Sequence, residues 1–556
     1  MDNKAIGKIA IAGIIIVIVV IAALGIYFAM YYQAPPLAEE SVLIMGTTDK
    51  VEVNLDPAEA YDYFGWEIIQ STGCGLVTIR PGSDAGPEDI LPSLATDWDV
   101  SDDGLEWTFY LRHGVKFEDG TEFNATHVWY TFERAKSLSV PEGPFVGIGI
   151  YTKDGECIIK NVTVVDKYTV KFYLNFPFTP FLALMAAPCC YIVNPNYAPM
   201  NATVNYVEGN ARASYPMDLG PYRLTKWSRV GGLDQEMILE ANPNYWNATG
   251  GYPKTKKIII KFYSDSTSLR LAIESGEIDI AFRQLSAADI NSLRQNPNLK
   301  VWEGTGAFIQ YLVFQTKPEM YPLNITEVRR AIAAAINRTL LTETVFQGQM
   351  VPLYSMIPNG MMGHIDAFKA LGDANYTYTR EVLAKYGYNE TNKLHLDLYY
   401  ETSGHYPQSP DQAQAIKQSL EASGVIEVSL HGLEWAQYRE QRKEETMPLM
   451  IYGWYPDYVD PDNYVYPFLH SSGGSWLHYH YNNTQMDALI EQARSTTNAT
   501  LRLELYKQIQ ELMVEDCPIV PLFQGTAFAV TKPDVKGVYL DITQSWRHWL
   551  LYKESS

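Results

Sequence analysis

The sequence contains no Gly-x-Ser-x-Gly turn, no phosphate-binding glycine loop and no His-Glu-x-x-His pair. It therefore carries no signature of acyl transfer, nucleotide hydrolysis or zinc proteolysis, and neither enzyme activity nor a cofactor is expected. Positive charge is scarce: 43 Lys+Arg stand against 64 Asp+Glu, a formal net charge of −21. Such a surface repels phosphate backbones and argues against nucleic-acid binding. Cysteine is scarce too, with Cys74, Cys157, Cys189, Cys190 and Cys517 in 556 residues and no pair at zinc-ligand spacing. Neighbouring Cys189 and Cys190 cannot easily bridge to each other. One or two disulfides with at least one thiol left over is the expectation outside the cell. No internal repeat or low-complexity tract is present, so a solenoid is excluded.

What is present is ordinary globular composition, 47% hydrophobic and 19% charged, with length for two to four domain-sized units. Aromatic residues reach 13%, and Tyr alone contributes 39. These build either amphipathic contact surfaces or a tyrosine-rich core.

The first thirty residues form a separate unit. Ile9 to Met30 holds no charged residue, and at 1.5 Å per residue it spans roughly 33 Å, enough to cross a bilayer. The run is longer than the apolar core of a cleaved signal, and Ala34 is followed by Pro35. Lys4 and Lys8 precede it, while Glu39 and Glu40 follow. The charge asymmetry predicts residues 1–32 as a single-pass membrane anchor with the bulk of the chain extracellular, joined through a linker at 33–40. Lys4-Ala5-Ile6 resembles the processing site of archaeal pilin-like signals, which keep their apolar segment. Asn-x-Thr acceptor patterns at Asn124, Asn161, Asn201, Asn247, Asn324, Asn375, Asn389, Asn482 and Asn498 agree with an exposed, glycosylated ectodomain. Asn337 falls inside a predicted helix and is set aside.

The ectodomain pattern is mixed α/β. Ser41 to Thr47 and Ile258 to Phe262 read as strands, Trp107 to Leu111 as another, and Val162 to Leu174 as a hairpin. Thr126 to Ala135 reads as a helix capped by Asn124 or Thr126, and Ser266 to Ser275 as one ending at Gly276. Asn324 to Arg338 shows helical periodicity with an Asn-x-x-Glu capping pattern, and Asp487 to Arg494 and Ala499 to Glu515 are later helices.

The run Leu94 to Phe123 (LATDWDVSDDGLEWTFYLRHGVKFEDGTEF) resembles the signature of dipeptide/oligopeptide-type solute-binding proteins of ABC transporters. Further blocks resemble the same family in the same order: Asn54-Leu55-Asp56-Pro57, Gly220-Pro221-Tyr222-Arg223, Asn242 to Trp246, Ser275 to Asp279 with Val328 to Ile332, and Gly453 to Pro461. The likeness covers roughly residues 41–550. It points to family 5, cluster C, in an archaeal member. It implies a type II periplasmic-binding fold, two hinged lobes plus an extra domain. One lobe would combine 41–70, 217–308 and 526–556; the extra domain would be 71–216; the other lobe would run over 309–525. Strands near Phe308–Phe314 and Pro518–Phe523 would cross between the lobes.

Site residues follow from the resemblance and from chemistry. A receptor for free peptides must bury an ammonium group, and a facing carboxylate offsets that cost. In peptide-binding relatives the Asp of the Gly-Trp-x-x-Asp block has this role, which falls on Asp457; a turn-capping surface Asp is the alternative. Trp454, Tyr458 and Trp435 would wall the pocket or simply belong to the core. Arg442 matches a ligand-side arginine of oligopeptide receptors, but a second arginine of those receptors is replaced by Ile451, which leaves the carboxylate clamp in doubt. Glu52, Val53 and Asn54 would offer backbone groups to an extended ligand.

His478-x-His480 lacks the further ligands a metal needs, and no cluster supports nickel or haem binding. The implied activity is capture of peptides for an ABC permease in the same membrane. Oligosaccharide is the alternative cargo, because many Trp and Tyr faces suit sugars, and a surface-layer or adhesion protein built on the same fold is a third reading.

Overall fold

The computed structural model describes residues 41–554, apart from 84–85, 152–156, 208, 211–215, 284, 404, 474–476 and 544–545. The expected anchor at 1–32 and the linker lie outside the described residues. Among those described, no helix is long and apolar enough to cross a membrane.

One large sheet organises the chain. Its strands are β1 (Val42–Thr47), β2 (Tyr222–Val230), β3 (Leu233–Ala241), β4 (Lys257–Phe262), β5 (Ile280–Phe282), β6 (Lys300–Phe314), β7 (Met350–Pro352), β8 (Leu394–Glu401), β9 (Ile426–Leu433), β10 (Leu449–Trp454) and β11 (Ile519–Thr531). The order across the sheet is β9-β8-β10-β6-β11-β5-β1-β4-β3-β2, with β7 beside β11. β1 lies parallel to β4 and β5, and β8 parallel to β9 and β10, so each end is a small parallel sheet.

β6 and β11 join the two ends. Lys300–Thr305 pairs with Thr526–Thr531, and Ile309–Val313 with Ile519–Gln524; the register breaks between Thr305 and Ile309. A break in the ladder frees local backbone geometry and bends the strand. Gln524, fully buried, fills the break: its Nε2 donates to the carbonyls of Gly306 (2.6 Å) and Asn359 (3.0 Å). The two halves of the sheet are therefore continuous through two strands whose ladder is interrupted at its middle.

A second, four-stranded sheet (Ala95–Val100, Glu106–Leu111, Thr169–Leu174, Ile159–Asp166) packs against the helix Ala125–Leu138. Its side chains, including Trp107, Phe109, Phe132 and Phe172, share one core with Leu43, Met45 and Phe64 of the first half of the large sheet. The other half has its own core, built on Tyr311, Ile332, Leu398, Tyr452 and Leu522. Within the first of these cores, buried charge ties the four-stranded sheet's helix to the large-sheet half. Arg134 of the helix clamps Asp56 through two bonds, 2.9 and 2.6 Å, and Asp56 also accepts from the amides of Ala58 and Val204.

Two expectations need correction. All five cysteines are free thiols. Cys74, Cys189, Cys190 and Cys517 are buried in packed cores, and the Cys189 and Cys190 sulfurs sit 3.9 Å apart without a bond. The helix expected over Asn324 to Arg338 is shorter, Thr326–Ala335, and its N-cap Ile325 makes no side-chain bond, so the Asn-x-x-Glu cap does not form. The far end stops where Ile336 turns extended (φ −65°, ψ 130°), and beyond it Arg338 turns inward to the Leu353 and Pro521 carbonyls and to Asp373, at 2.6–2.9 Å. Asn337 lies outside that helix and caps a separate turn through the Leu340 amide. At the helix Ala125–Leu138 the cap is Asn124.

Candidate functional site

The loop leaving β10 is fixed from behind by buried ion pairs. Arg502 on the helix Ala499–Asp516 holds Asp460 by two bonds, 2.9 and 2.7 Å. Arg494 stands 3.0 Å from Asp462, whose other oxygen accepts from Tyr458 Oη (2.7 Å). Asn463 then fastens the front of the loop: its Oδ1 accepts from the Asp457 amide (2.8 Å) and from Trp454 Nε1 (3.1 Å), and its Nδ2 donates to Asp457 Oδ2 (3.4 Å). Asp460 and Asp462 thus face arginines, whereas Asp457 faces the opposite half of the molecule.

The facing wall is the helix Tyr63–Thr72, capped by Asp62, which accepts from the Gly65 amide (2.6 Å). Tyr61 Oη donates to Asp457 Oδ1 (2.6 Å), and Tyr63 Oη donates to the Pro456 carbonyl (2.9 Å). The Tyr61 ring rests against Gly147, where an added Cβ would come within 2.8 Å of it. The crevice at this contact has a volume of about 50 Å³, well below the 300–1,000 Å³ of ordinary ligand pockets. The two walls are in contact here, and the crevice as it stands is smaller than a ligand of ordinary size requires.

Burial sets the electrostatics. Asp457 keeps some surface open to the crevice, but the surrounding protein pushes its pKa up to about 6, against the lowering effect of its bonds to Tyr61 and Asn463. Across from it Glu67, almost fully buried, is pushed up to about 8 by burial, opposed by Arg283 and reinforced by Asp49. Asp62 is pushed to about 7, again by burial first, with Glu52 and Asp49 adding to it. Arg283, in a left-handed conformation (φ 66°), bridges Asp49 (3.0 Å) and Glu67 (2.9 Å). His548 behind them is held neutral, its pKa near 3, by burial and by Arg283.

Of the residues singled out by sequence, Asp457 and Tyr458 line the crevice, and Trp454 stands behind Asp457 through Asn463. Tyr458 is buried, its ring edge-on to Phe178 and its hydroxyl spent on Asp462. Trp454 packs edge-on against Phe468. Trp435 lies further along, stacked on His405 at 3.8 Å. A run of rings connects it back to the crevice: Tyr406, Phe308, Tyr455 and Tyr63 follow at centroid separations of 5.7, 6.4, 4.5 and 5.1 Å. Arg442 sits beyond Trp435, 5.4 Å from the Tyr452 ring.

Glu52, Val53 and Asn54 do not line the crevice. Glu52 and Val53 are exposed, and the Glu52 charge reaches His405 across the cleft. Asn54 is buried, bonded to Glu59 (2.6 Å) and to the Asp56 amide (2.9 Å). His480 bonds Glu445 at 2.6 Å, and among the described residues no group of three His, Cys, Asp or Glu is placed to hold a metal. None of the nine acceptor asparagines is buried: Asn161, Asn201, Asn324, Asn375, Asn389, Asn482 and Asn498 are exposed, and Asn124 and Asn247 half-buried.

Sequence reasoning missed Tyr61, Tyr63, Glu67, Arg283 and Asn463. Only Asn463 carried a signal, its place just past the Gly-Trp-x-x-Asp block; the others become site residues through folding.

Residues 89–476 match the bacterial extracellular solute-binding proteins, family 5 (middle region). The chain is 29% identical over 515 residues to the probable D,D-dipeptide-binding periplasmic protein DdpA of Escherichia coli K12, covering 92% of this chain and 93% of the relative. Among solved structures it superposes on HbpA2 from Haemophilus parasuis (TM-score 0.78, 23% identity, 92% and 100% covered). It also superposes on the periplasmic binding protein DppA from Helicobacter pylori in complex with the peptide STSA (TM-score 0.72, 27% identity, 93% and 98% covered).

Proposed function

The chain belongs to family 5 of the bacterial extracellular solute-binding proteins, and from that premise we propose that it captures peptides between its two halves and delivers them to an ABC permease. Asp457 carries the reading. Among the described residues its carboxylate bonds two neutral partners, Tyr61 and Asn463, and no cation, and it lies where the two halves meet. An ammonium group entering there replaces the Tyr61 phenol and supplies the missing positive charge. Relatives whose names state dipeptide binding, and a similar structure holding the peptide STSA, support this cargo. Backbone groups of Glu52, Val53 and Asn54 would meet the extended ligand at the mouth of the opened cleft, beside the Trp435 cluster.

The oligosaccharide alternative leans on free aromatic faces. Trp435 is stacked on His405, Trp454 is edge-packed and Tyr458 is buried, so this support is weak. With this role we place an N-terminal membrane anchor on the uncharged run Ile9 to Met30, an extracellular body and glycans at the acceptor asparagines. Hinging about β6 and β11 would close the cleft and present the permease with a surface that the open form lacks.

The test is calorimetric titration of residues 41–556 with peptides. Asp457→Asn leaves a buried ammonium unpaired, at a cost of about 3–5 kcal/mol, so affinity falls at least about a hundredfold. N-acetylated peptide loses binding to the unaltered protein for the same reason. Equal affinity of Asp457→Asn for a confirmed peptide ligand refutes the placement, and a chain that shows no thermal shift with any peptide or oligosaccharide fits the adhesion reading instead.

A further inference from the structure

The charges around the crevice are lopsided. Its walls include Glu67, Asp457, Arg283 and Arg547. Each arginine is already balanced. Arg283 holds Asp49 and Glu67, and Arg547 bonds buried Asp541 at 2.8 Å and Thr543, another wall residue, at 3.1 Å. Asp49 alone neutralises Arg283 whether or not Glu67 holds a proton. Asp457 has no cationic partner among its bonds. Glu67 and Gln70, both wall residues, each keep one buried side-chain oxygen with no hydrogen-bond partner in the protein. The crevice therefore offers acceptors and uncompensated negative charge. Among the described residues that line it, every cation is spent.

We propose that this pocket discriminates against short zwitterions and takes peptides whose C-terminal carboxylate is masked or lies far from the ammonium. The inference rests on the peptide reading. A dipeptide places its carboxylate within about two residues of the ammonium, roughly 7 Å at full extension. Glu67 and Arg283 share the walls of this small crevice with Asp457, and because Arg283 is paired with Asp49 and Glu67 a carboxylate held inside gains no unbalanced cation. Exposed Arg439 and half-buried Arg442 stand at the other end of the ring run, past Trp435. A longer peptide can carry its carboxylate toward them or out of the cleft.

The experiment compares Ala-Phe, Ala-Phe amide, hexaalanine and hexaalanine amide by calorimetric titration of residues 41–556. The expected result is that Ala-Phe amide binds at least tenfold more tightly than Ala-Phe, about 1.4 kcal/mol, whereas the two hexapeptides differ by less than about twofold. Ala-Phe binding as tightly as its amide overturns the inference and leaves peptide capture standing. Failure of all four ligands overturns peptide capture itself. A second arm uses Asp49→Asn with Glu67→Gln, which unbalances Arg283: the preference for the dipeptide amide should shrink or invert. An unchanged acid-to-amide ratio in that variant also overturns the assignment.

Discussion

Tyr61 and Asp457 are 396 residues apart in the chain and meet at 2.6 Å across the cleft, phenol to carboxylate. The bond joins the two halves of the large sheet through the group that the peptide reading assigns to the ligand. Closure of the ligand-free protein and ligand capture therefore compete for one oxygen.

Tyr61→Phe removes that bond and keeps the ring against Gly147. A hydrogen bond to a charged acceptor contributes about 1.5–3 kcal/mol, so the closed-to-open ratio of the ligand-free protein should fall by roughly tenfold or more. Small-angle scattering should show a larger radius of gyration without ligand and a larger compaction with it. Identical scattering of Tyr61→Phe and the unaltered protein would show that this bond does not hold the cleft shut.

Arg502 is expected to be the strongest single support of the site loop. It is 3% exposed and holds Asp460, 8% exposed, through two bonds. Arg502→Met strands a buried carboxylate, a loss of about 3–5 kcal/mol in urea unfolding. Adding Asp460→Asn removes the stranded charge and keeps an oxygen for the Asp462 amide, which now bonds Asp460 at 2.9 Å. The double variant should recover at least half of the loss. A double variant as unstable as the single one would mean that packing, not charge, fixes this loop.

Asp457 is legible in the sequence because it sits in an ordered run of motif blocks, and the strands and most helices are legible from local periodicity. Tyr61, Tyr63 and Glu67 are not. Their neighbours in the chain form an ordinary amphipathic helix start, and only the pairing of β6 with β10 and β11 brings Asp457 opposite them. Arg283 is hidden for the same reason: its partners Asp49 and Glu67 are more than two hundred residues away. The helix over Thr326–Ala335 ends earlier than its local periodicity suggests, and just past it Arg338 bonds the Leu353 carbonyl, 15 residues away, and the Pro521 carbonyl, 183 away.

The anchor prediction stands on residues 9–30 alone. Full-length protein should sediment with membranes and resist carbonate extraction, while a chain beginning at Glu39 should remain in solution. Recovery of most native protein from the medium with an N-terminus near Gln33 would replace anchoring with secretion.

Asp457 should make the ligand-free protein less stable while making it bind. Its folded pKa of about 6 lies above the ordinary 3.8. Between those values the folded protein holds a proton that the unfolded chain has released, so this group's contribution to stability falls as pH rises from about 4 to 6 and stays low above. Two units correspond to at most about 3 kcal/mol. Asn cannot ionise, so Asp457→Asn should raise the Tm of the ligand-free protein at pH 7.5, and the gain should vanish near pH 4. Glu67 has the same sign over a wider window, from about 4.5 to about 8, so the advantage of Glu67→Gln should go on growing up to about pH 8. A structural carboxylate would behave oppositely, since its loss lowers Tm at neutral pH. If Asp457→Asn melts below the unaltered protein at pH 7.5, the carboxylate serves the fold, and the assignment of this cleft as the ligand site loses its main support.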